Sequence, residues 1–218
     1  MNRSFAIIAL LAMLFATDAL CGILTDSRDG QTYRMVKIGN QEWMAENLNY
    51  ETANSYCYED EASNCTKYGR LYTWAAAMDS VGMWSTNGKG CGYGKTCSPT
   101  YPVRGICPEG WHLPTKTEFE TLFTAVGGQP TAGKMLKSTS GWNSSGNGTD
   151  AFGFSALPAS LGDRYGYFDD EGSRAGFWGS TEGDSSGAYG MGLGYEIDGA
   201  GLGDYYKDYE FSVRCVKD

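Results

Sequence analysis

Cysteine is the most reactive side chain in this 218-residue sequence, which has seven cysteines and one histidine. A single histidine excludes metal sites built from several imidazole ligands. The cysteines also lack the tightly spaced pairs of a zinc knuckle. Beyond Cys21 an even number remains, as expected for a disulfide framework in an exported domain. We predict that all six form disulfides: Cys57, Cys65, Cys91, Cys97, Cys107 and Cys215.

The pairing of these cysteines is not determined by the sequence alone, because six cysteines allow many combinations. Their spacings favour Cys57–Cys65 and Cys91–Cys97 as local loop cross-links. The same spacings leave Cys107–Cys215 as a long-range clamp.

The first 21 residues have the pattern of an export signal. A short cationic start at residues 1–3 precedes an unbroken apolar run at residues 5–15, which is too short to span a bilayer. We expect residues 1–21 to be a signal peptide and residues 22–218 to form one secreted, surface or periplasmic domain without a transmembrane segment. The less favoured alternative is a lipoprotein acylated at Cys21, since Leu20 is larger than the residue such a site prefers.

The sequence is acidic, with 26 Asp and Glu against 17 Lys and Arg and a formal net charge of −9. This charge repels phosphate, so we expect no nucleic-acid partner. Residues 150–210 hold 12 acidic residues against 3 basic ones, among many aromatic residues and glycines.

We predict a ligand-binding face in this region, because sugar rings stack on aromatic rings while their hydroxyls bond to carboxylates. The candidate residues are Tyr165, Tyr167, Asp169, Asp170, Tyr189, Tyr195, Tyr205 and Tyr206. The six tyrosines are expected to be exposed. Phe177 and Trp178 are predicted to lie in the core instead.

Other polar residues offer weaker patterns for catalysis or metal binding. His112 precedes a predicted helix, where we expect it to bond to backbone. Asp169, Asp170 and Glu171 are adjacent, so their carboxylates do not converge as a glycosidase pair does. We predict no catalytic residue, metal ligand or cofactor. Calcium remains an open alternative, with loop ligands from Asp163, Asp169, Asp170, Asp184, Asp198 and Asp204.

Short strands and a few helices are predicted to position these residues. Residues 25–44 indicate strands separated by turns at Asp29-Gly30 and Gly39-Asn40. Residues 115–118 are a capping box, which predicts a helix that ends at Gly127-Gly128. A second amphipathic stripe follows helical spacing: Leu71, Trp74, Ala75 and Met78.

The remaining segments are predicted to be largely irregular. Residues 87–101 indicate a cross-linked surface loop, and residues 132–137 add one helical turn. Beyond Trp142 the pattern favours short strands joined by long glycine loops. Residues 211–216 are predicted to form the closing strand.

Seven blocks of sequence are specific enough to indicate a family. In order, they resemble the Fibrobacter succinogenes major paralogous domain from about Thr25 to the last residue. The blocks are DSRDGQTY at 26–33, VKIGNQEWMAENLNY at 36–50, YGRLYTW at 68–74, CPEGWHLPT at 107–115, FSALPA at 154–159, FWGSTE at 177–182 and FSVRCVKD at 211–218.

This resemblance implies an α+β fold similar to the C-type-lectin-like and formylglycine-generating-enzyme-like (sulfatase-modifying-factor-like) group. Such a fold has two helices, a small antiparallel sheet and long disulfide-stapled loops. A cysteine near its middle joins one in its last strand, which supports Cys107–Cys215. The family implies a secreted or surface role, without a settled activity.

Three functions from different classes follow from these observations. We expect a non-catalytic extracytoplasmic binding domain whose partner is a carbohydrate or another surface polymer. The first alternative is a cell-envelope structural or adhesion protein that binds a protein. The second, an oxidase of the formylglycine-generating type, is disfavoured because no cysteine has a flanking histidine and no pair matches the oxidase motif.

Overall fold

The computed structural model describes residues 22–163, 165–168 and 171–218. The predicted signal peptide with Cys21, and the candidate residues Asp169 and Asp170, therefore lie outside the described residues. Within the described residues, no helix is long and apolar enough to cross a bilayer.

The described chain forms two sheets with a few helices between their strands, an α+β fold. In chain order the strands are β1 (Ile23–Thr25), β2 (Thr32–Ile38), β3 (Gln41–Met44), β4 (Ser55–Tyr56), β5 (Leu71–Thr73), β6 (Trp111–His112), β7 (Arg174–Glu182), β8 (Gly187–Gly194), β9 (Gly201–Tyr206), β10 (Glu210–Ser212) and β11 (Val216–Lys217). The helices are α1 (Ala62–Tyr68), α2 (Trp74–Ala77), α3 (Lys116–Ala125) and α4 (Gln129–Leu136), with 3₁₀ turns at Tyr58–Asp60 and Asn143–Ser145.

The first sheet has the strand order β1-β2-β3-β11-β6, and the second has the order β4-β5-β10-β7-β8-β9. In β2, Val36 and Ile38 are buried on one face with the exposed Lys37 between them, whereas Tyr33 is buried on the opposite face. All pairings in the second sheet are antiparallel except β10 with β7, which is parallel.

The core consists of two apolar clusters on either side of β7. Phe177 belongs to one cluster with Trp43 and Phe119, and Trp178 belongs to the other with Phe211. Consecutive residues of a strand point to opposite faces of the sheet, so Phe177 and Trp178 each pack into a different cluster. The prediction that Phe177 and Trp178 are core residues is confirmed.

The capping box at the start of α3 is confirmed. The Thr115 hydroxyl accepts a bond from the Glu118 N–H at 3.2 Å, and Glu118 Oε2 accepts one from the Thr115 N–H at 2.7 Å. The helix ends before Gly127 and Gly128, which have φ of 105° and 101°. These angles are readily adopted only by glycine.

Three expectations about elements were wrong. Four α-helices occur in the described chain rather than two, although only α3 and α4 exceed seven residues. Leu71 lies on β5 opposite Ser212, so the predicted amphipathic helix begins only at Trp74. The closing strand is interrupted between β10 and β11, which belong to different sheets.

All six predicted cysteines form disulfides, in the pairs that the spacing favoured. Cys57–Cys65 and Cys91–Cys97 close short loops, and Cys107–Cys215 spans 108 residues. In a chain-entropy account, the long loop makes the last bridge worth about 4–5 kcal/mol, against about 2 kcal/mol for the short ones.

Candidate functional site

Glycines on β7, β8 and β9 lie opposite one another across the second sheet. The register places Gly176 opposite Gly192, and Gly192 opposite Gly201. Gly194 lies two residues further along β8, opposite Arg174. Because glycine has no side chain, these residues leave bare backbone on one face of three strands. We call the space above this row the glycine cavity.

The glycine cavity has a volume of about 500 Å³. This volume lies within the range of small-molecule sites, which combine apolar walls with a few placed polar groups. Both kinds of group line the cavity besides the glycines: Leu161, Ile197, Phe211, Arg174, Tyr195, Glu196 and Tyr205.

Aromatic rings cover the part of the glycine face that the cavity leaves free. A Cβ atom added at Gly176 would lie 2.8 Å from the ring of Phe211. Trp178 stacks on Phe211 with centroids 4.5 Å apart, and Tyr205 meets Phe211 edge to face at 4.9 Å. The cavity is therefore bordered by a packed aromatic cluster.

The hydroxyl of Tyr205 lies over the glycine floor. It would be 2.6 Å from a Cβ atom added at Gly192 and 3.9 Å from one added at Gly201. No described residue forms a hydrogen bond with this hydroxyl. Burial raises the pKa of Tyr205 above its ordinary value, so the group is a neutral donor and acceptor at physiological pH.

A buried lysine fixes the turn at one end of the glycine cavity. Lys137 Nζ donates to the carbonyl oxygens of Gly194 at 2.9 Å and Ile197 at 3.0 Å. Burial lowers the pKa of Lys137. Within this turn, the Tyr195 hydroxyl donates to Glu196 Oε1 at 2.8 Å, so a carboxylate and a phenol form a joined polar rim.

A second cavity of about 450 Å³ lies at the turn between β7 and β8 and along β9. We call it the acidic cavity, lined by Asp184, Ser186, Gly187, Asp204, Tyr205, Tyr206 and Tyr209. Backbone and side-chain bonds from Ser186, followed by the Gly187 N–H, lower the pKa of Asp184. Burial, with a contribution from the Asp184 charge, raises the pKa of Asp204.

The structure brings three of the six predicted tyrosines to these cavities. Tyr195 lines the glycine cavity, Tyr206 lines the acidic cavity, and Tyr205 lines both. Tyr206 is exposed, whereas Tyr195 and Tyr205 are half-buried rather than exposed as expected. Tyr205 is half-buried because its ring packs on Phe211.

The other three predicted tyrosines lie elsewhere. Tyr165 and Tyr167 are exposed on a turn, where their N–H groups donate to Asp163 Oδ1 at 2.8 and 3.0 Å. Tyr189 is on the face of β8 opposite to that of Gly190, Gly192 and Gly194, with its ring centroid 4.4 Å from Lys116 Nζ.

The described aspartates do not assemble a metal site. Within the described residues, no group of three His, Cys, Asp or Glu side chains is placed to hold an ion. Asp163 and Asp184 accept bonds from their own turns, and Asp198 lies 3.9 Å from Lys134 Nζ.

His112 bonds to two carboxylates and not to backbone, contrary to expectation. Its Nδ1 lies 2.8 Å from Asp218 Oδ1, and its Nε2 lies 2.7 Å from Glu118 Oε1. Burial opposes protonation of His112, but the two carboxylates outweigh it and raise the pKa. The ring links the α3 cap to the chain end, a structural arrangement.

Glu210 is a buried carboxyl group that the sequence pattern did not single out. It lies on β10, and no described group bonds to its Oε2. Burial, followed by the charges of Asp60 and Asp163, raises the pKa of Glu210 to about 7. The carboxyl group therefore holds a proton well above the usual pH range for glutamate.

The row of glycines that underlies the glycine cavity is not among the sequence predictions, because the glycine-rich pattern favours loops. The glycines of residues 187–194 and 201–206 lie within strands. The signal in the sequence was the alternation of glycine with larger residues, which places the glycines on one face of a strand.

The fold and its cavities define a class: an α+β domain with three disulfides and preformed cavities on its larger sheet. The chain belongs to the Fibrobacter succinogenes major domain family, whose sequence profile matches residues 36–217. Searches of curated proteins and of solved structures return no match.

Proposed function

We propose that this chain is a non-catalytic domain that binds carbohydrate outside the cytoplasm, and that the glycine cavity is its binding site. The observation that carries the proposal is the register of Gly176, Gly192 and Gly201. These glycines carry no side chain; the Phe211 ring covers Gly176 and the Tyr205 hydroxyl lies over Gly192, so a sugar ring can lie against the backbone near Gly201 and bond to that hydroxyl.

The polar groups of the cavity suit a ligand that carries several hydroxyls. The Tyr205 hydroxyl both donates and accepts, and backbone carbonyls accept. Glu196 adds an acceptor at the rim and Arg174 a donor. Leu161 and Ile197 give apolar contacts for the C–H face of a sugar ring.

The disulfides support a location outside the cytosol. Structural disulfides persist in oxidising compartments and are rare where thiols are kept reduced. They also argue against an oxidase of the formylglycine-generating type, because Cys107 and Cys215 are joined and neither is available as a thiolate.

The resemblance of the seven sequence blocks to a family expected to be C-type-lectin-like is in keeping with this proposal. We propose that the fold is of that kind, with the ligand cavity on the second sheet rather than in a calcium-bearing loop. No step of this proposal requires a metal ion.

Retention on a panel of soluble and insoluble polysaccharides tests the proposal, with Gly201→Val as the central variant. A Cβ atom at Gly201 would have no neighbour nearer than 3.6 Å, so valine fits the strand and projects into the cavity. We expect the variant to bind the polysaccharide about tenfold or more weakly than the native protein, because valine would occupy space that the ligand needs. A tenfold loss of affinity corresponds to about 1.4 kcal/mol of binding free energy.

Two further variants sharpen the test. Tyr205→Phe keeps the ring on Phe211 and removes only the hydroxyl, so we expect about fivefold weaker retention. Gly92→Ala is the matched control, because its added Cβ would make an ordinary 3.5 Å contact with Ala75, away from the cavity. Retention on no polysaccharide, or equal retention by Gly201→Val and Gly92→Ala, contradicts the proposal.

A further inference from the structure

Among the described residues, no strand pairs with the outer edge of β9 in the second sheet. The sheet order places β9 last, beyond β8. The strand contains neither proline nor lysine, residues that commonly protect an edge from pairing. Asp204 is its only charged residue, and it is exposed.

The register identifies which backbone groups point outward. Lys207 N–H donates to the Ser186 carbonyl at 2.9 Å, and this pair continues the alignment of β8 with β9. In an antiparallel ladder every second residue bonds to the neighbouring strand. Residues 201, 203 and 205 therefore bond to β8, and Leu202 and Asp204 direct their N–H and C=O groups to the open edge.

These outward groups have no partner in the described part of the chain. No turn, loop or side-chain hydrogen bond to the backbone of Leu202 or Asp204 occurs there. Outward N–H and C=O groups of this kind form hydrogen bonds when another strand pairs with the edge. An extended peptide that adds as a strand is a recurrent way in which proteins bind peptides.

Charge determines which strand fits. In the antiparallel register that pairs Leu202 with Tyr206, a second copy of β9 would place Asp204 opposite Asp204, and like charges in that position are unfavourable. Asp184 lines the same acidic cavity beside the edge. A cationic side chain opposite Asp204 would face both carboxylates.

We propose that the outer edge of β9 binds an extended peptide segment of a partner protein as an added strand, with a lysine or arginine opposite Asp204. The acidic cavity receives that cationic side chain, and the backbone of Leu202 and Asp204 supplies the ladder bonds. This inference goes beyond the proposed carbohydrate function, because it uses the sheet edge and not the glycine cavity.

The test is selection of a displayed library of random short peptides on the intact, oxidised protein. We expect enriched peptides to combine β-branched residues with a central lysine or arginine. Asp204→Pro should abolish their binding, since proline removes the outward N–H and is tolerated on edge strands. Asp204→Asn, which keeps the backbone, should weaken binding about two- to fivefold.

Asp198→Asn is the matched control, because it removes an exposed carboxylate of the same acidic region away from the edge, and it should bind like the native protein. Absence of enrichment, or enriched peptides that bind Asp204→Pro equally, overturns the proposal. If the native protein dimerises in a concentration-dependent way and Asp204→Pro does not, the edge binds a second copy of this chain, and the proposal of a peptide partner is wrong. Asp204→Pro should retain polysaccharide as the native protein does. A loss of peptide binding alone can therefore be distinguished from a failure of the carbohydrate proposal.

Discussion

The buried charged side chains of this molecule differ in how many hydrogen bonds they form. The Arg214 guanidinium donates to Asn47 Oδ1 at 2.8 Å and to the Ser155 carbonyl at 3.0 Å. Lys137 is similarly held by two carbonyls. By contrast, no described group bonds to Glu210 Oε2. A buried carboxyl group without a partner favours its neutral form.

We predict that Glu210 makes the fold less stable as the pH rises. Its pKa is about 7 in the folded protein and near 4.5 when unperturbed, so the folded state binds more protons between these values. Stability should fall by about 2–3 kcal/mol between about pH 5 and pH 8 from this group. Urea unfolding of native protein and Glu210→Gln at both pH values measures the effect.

The difference between the two proteins isolates Glu210 from other titrating groups. Glu210→Gln should be more stable than the native protein at about pH 8, and the gap should shrink towards pH 5. Glu120→Gln, which changes an exposed glutamate on α3, is the control. A pH-independent difference between Glu210→Gln and the native protein would show that the carboxyl group is already ionised in the fold.

At the scale of elements, sequence reasoning succeeded where local chemistry decides the structure. The capping box placed the start of α3, and the Asp29-Gly30 and Gly39-Asn40 turns separated the first strands. It failed for β8 and β9, because glycine has low intrinsic strand propensity. β8 pairs with β7 and β9 pairs with β8, so these strands depend on cross-strand pairing rather than on the propensity of their own residues.

The glycines of the second sheet are predicted to differ in their tolerance of a side chain. Gly176→Ala should destabilise the fold by about 1–3 kcal/mol, because the new Cβ atom would displace the ring of Phe211. Gly201→Ala should change stability by less than about 0.5 kcal/mol, since its Cβ atom enters open cavity. Urea unfolding at neutral pH compares the two, and equal losses would contradict the proposed geometry of the floor.

At the scale of the whole molecule, a long-range disulfide and a strand shared by both apolar clusters organise the fold. Cys107–Cys215 joins the segment before β6 to the residue before β11, and β7 separates the two apolar clusters. The sequence predicted the disulfides. It did not predict which tyrosines meet, because cross-strand register depends on contacts that no local pattern encodes.

The measurement that tests the carbohydrate proposal most directly is an NMR titration of the oxidised protein with an oligosaccharide from a retained polysaccharide. Backbone amide shifts report where the ligand lies. We predict that the largest changes occur at Gly176, Gly192 and Gly201, while Gly92 stays unchanged. Saturable changes confined to residues away from the glycine cavity, or no change at all, would contradict the account.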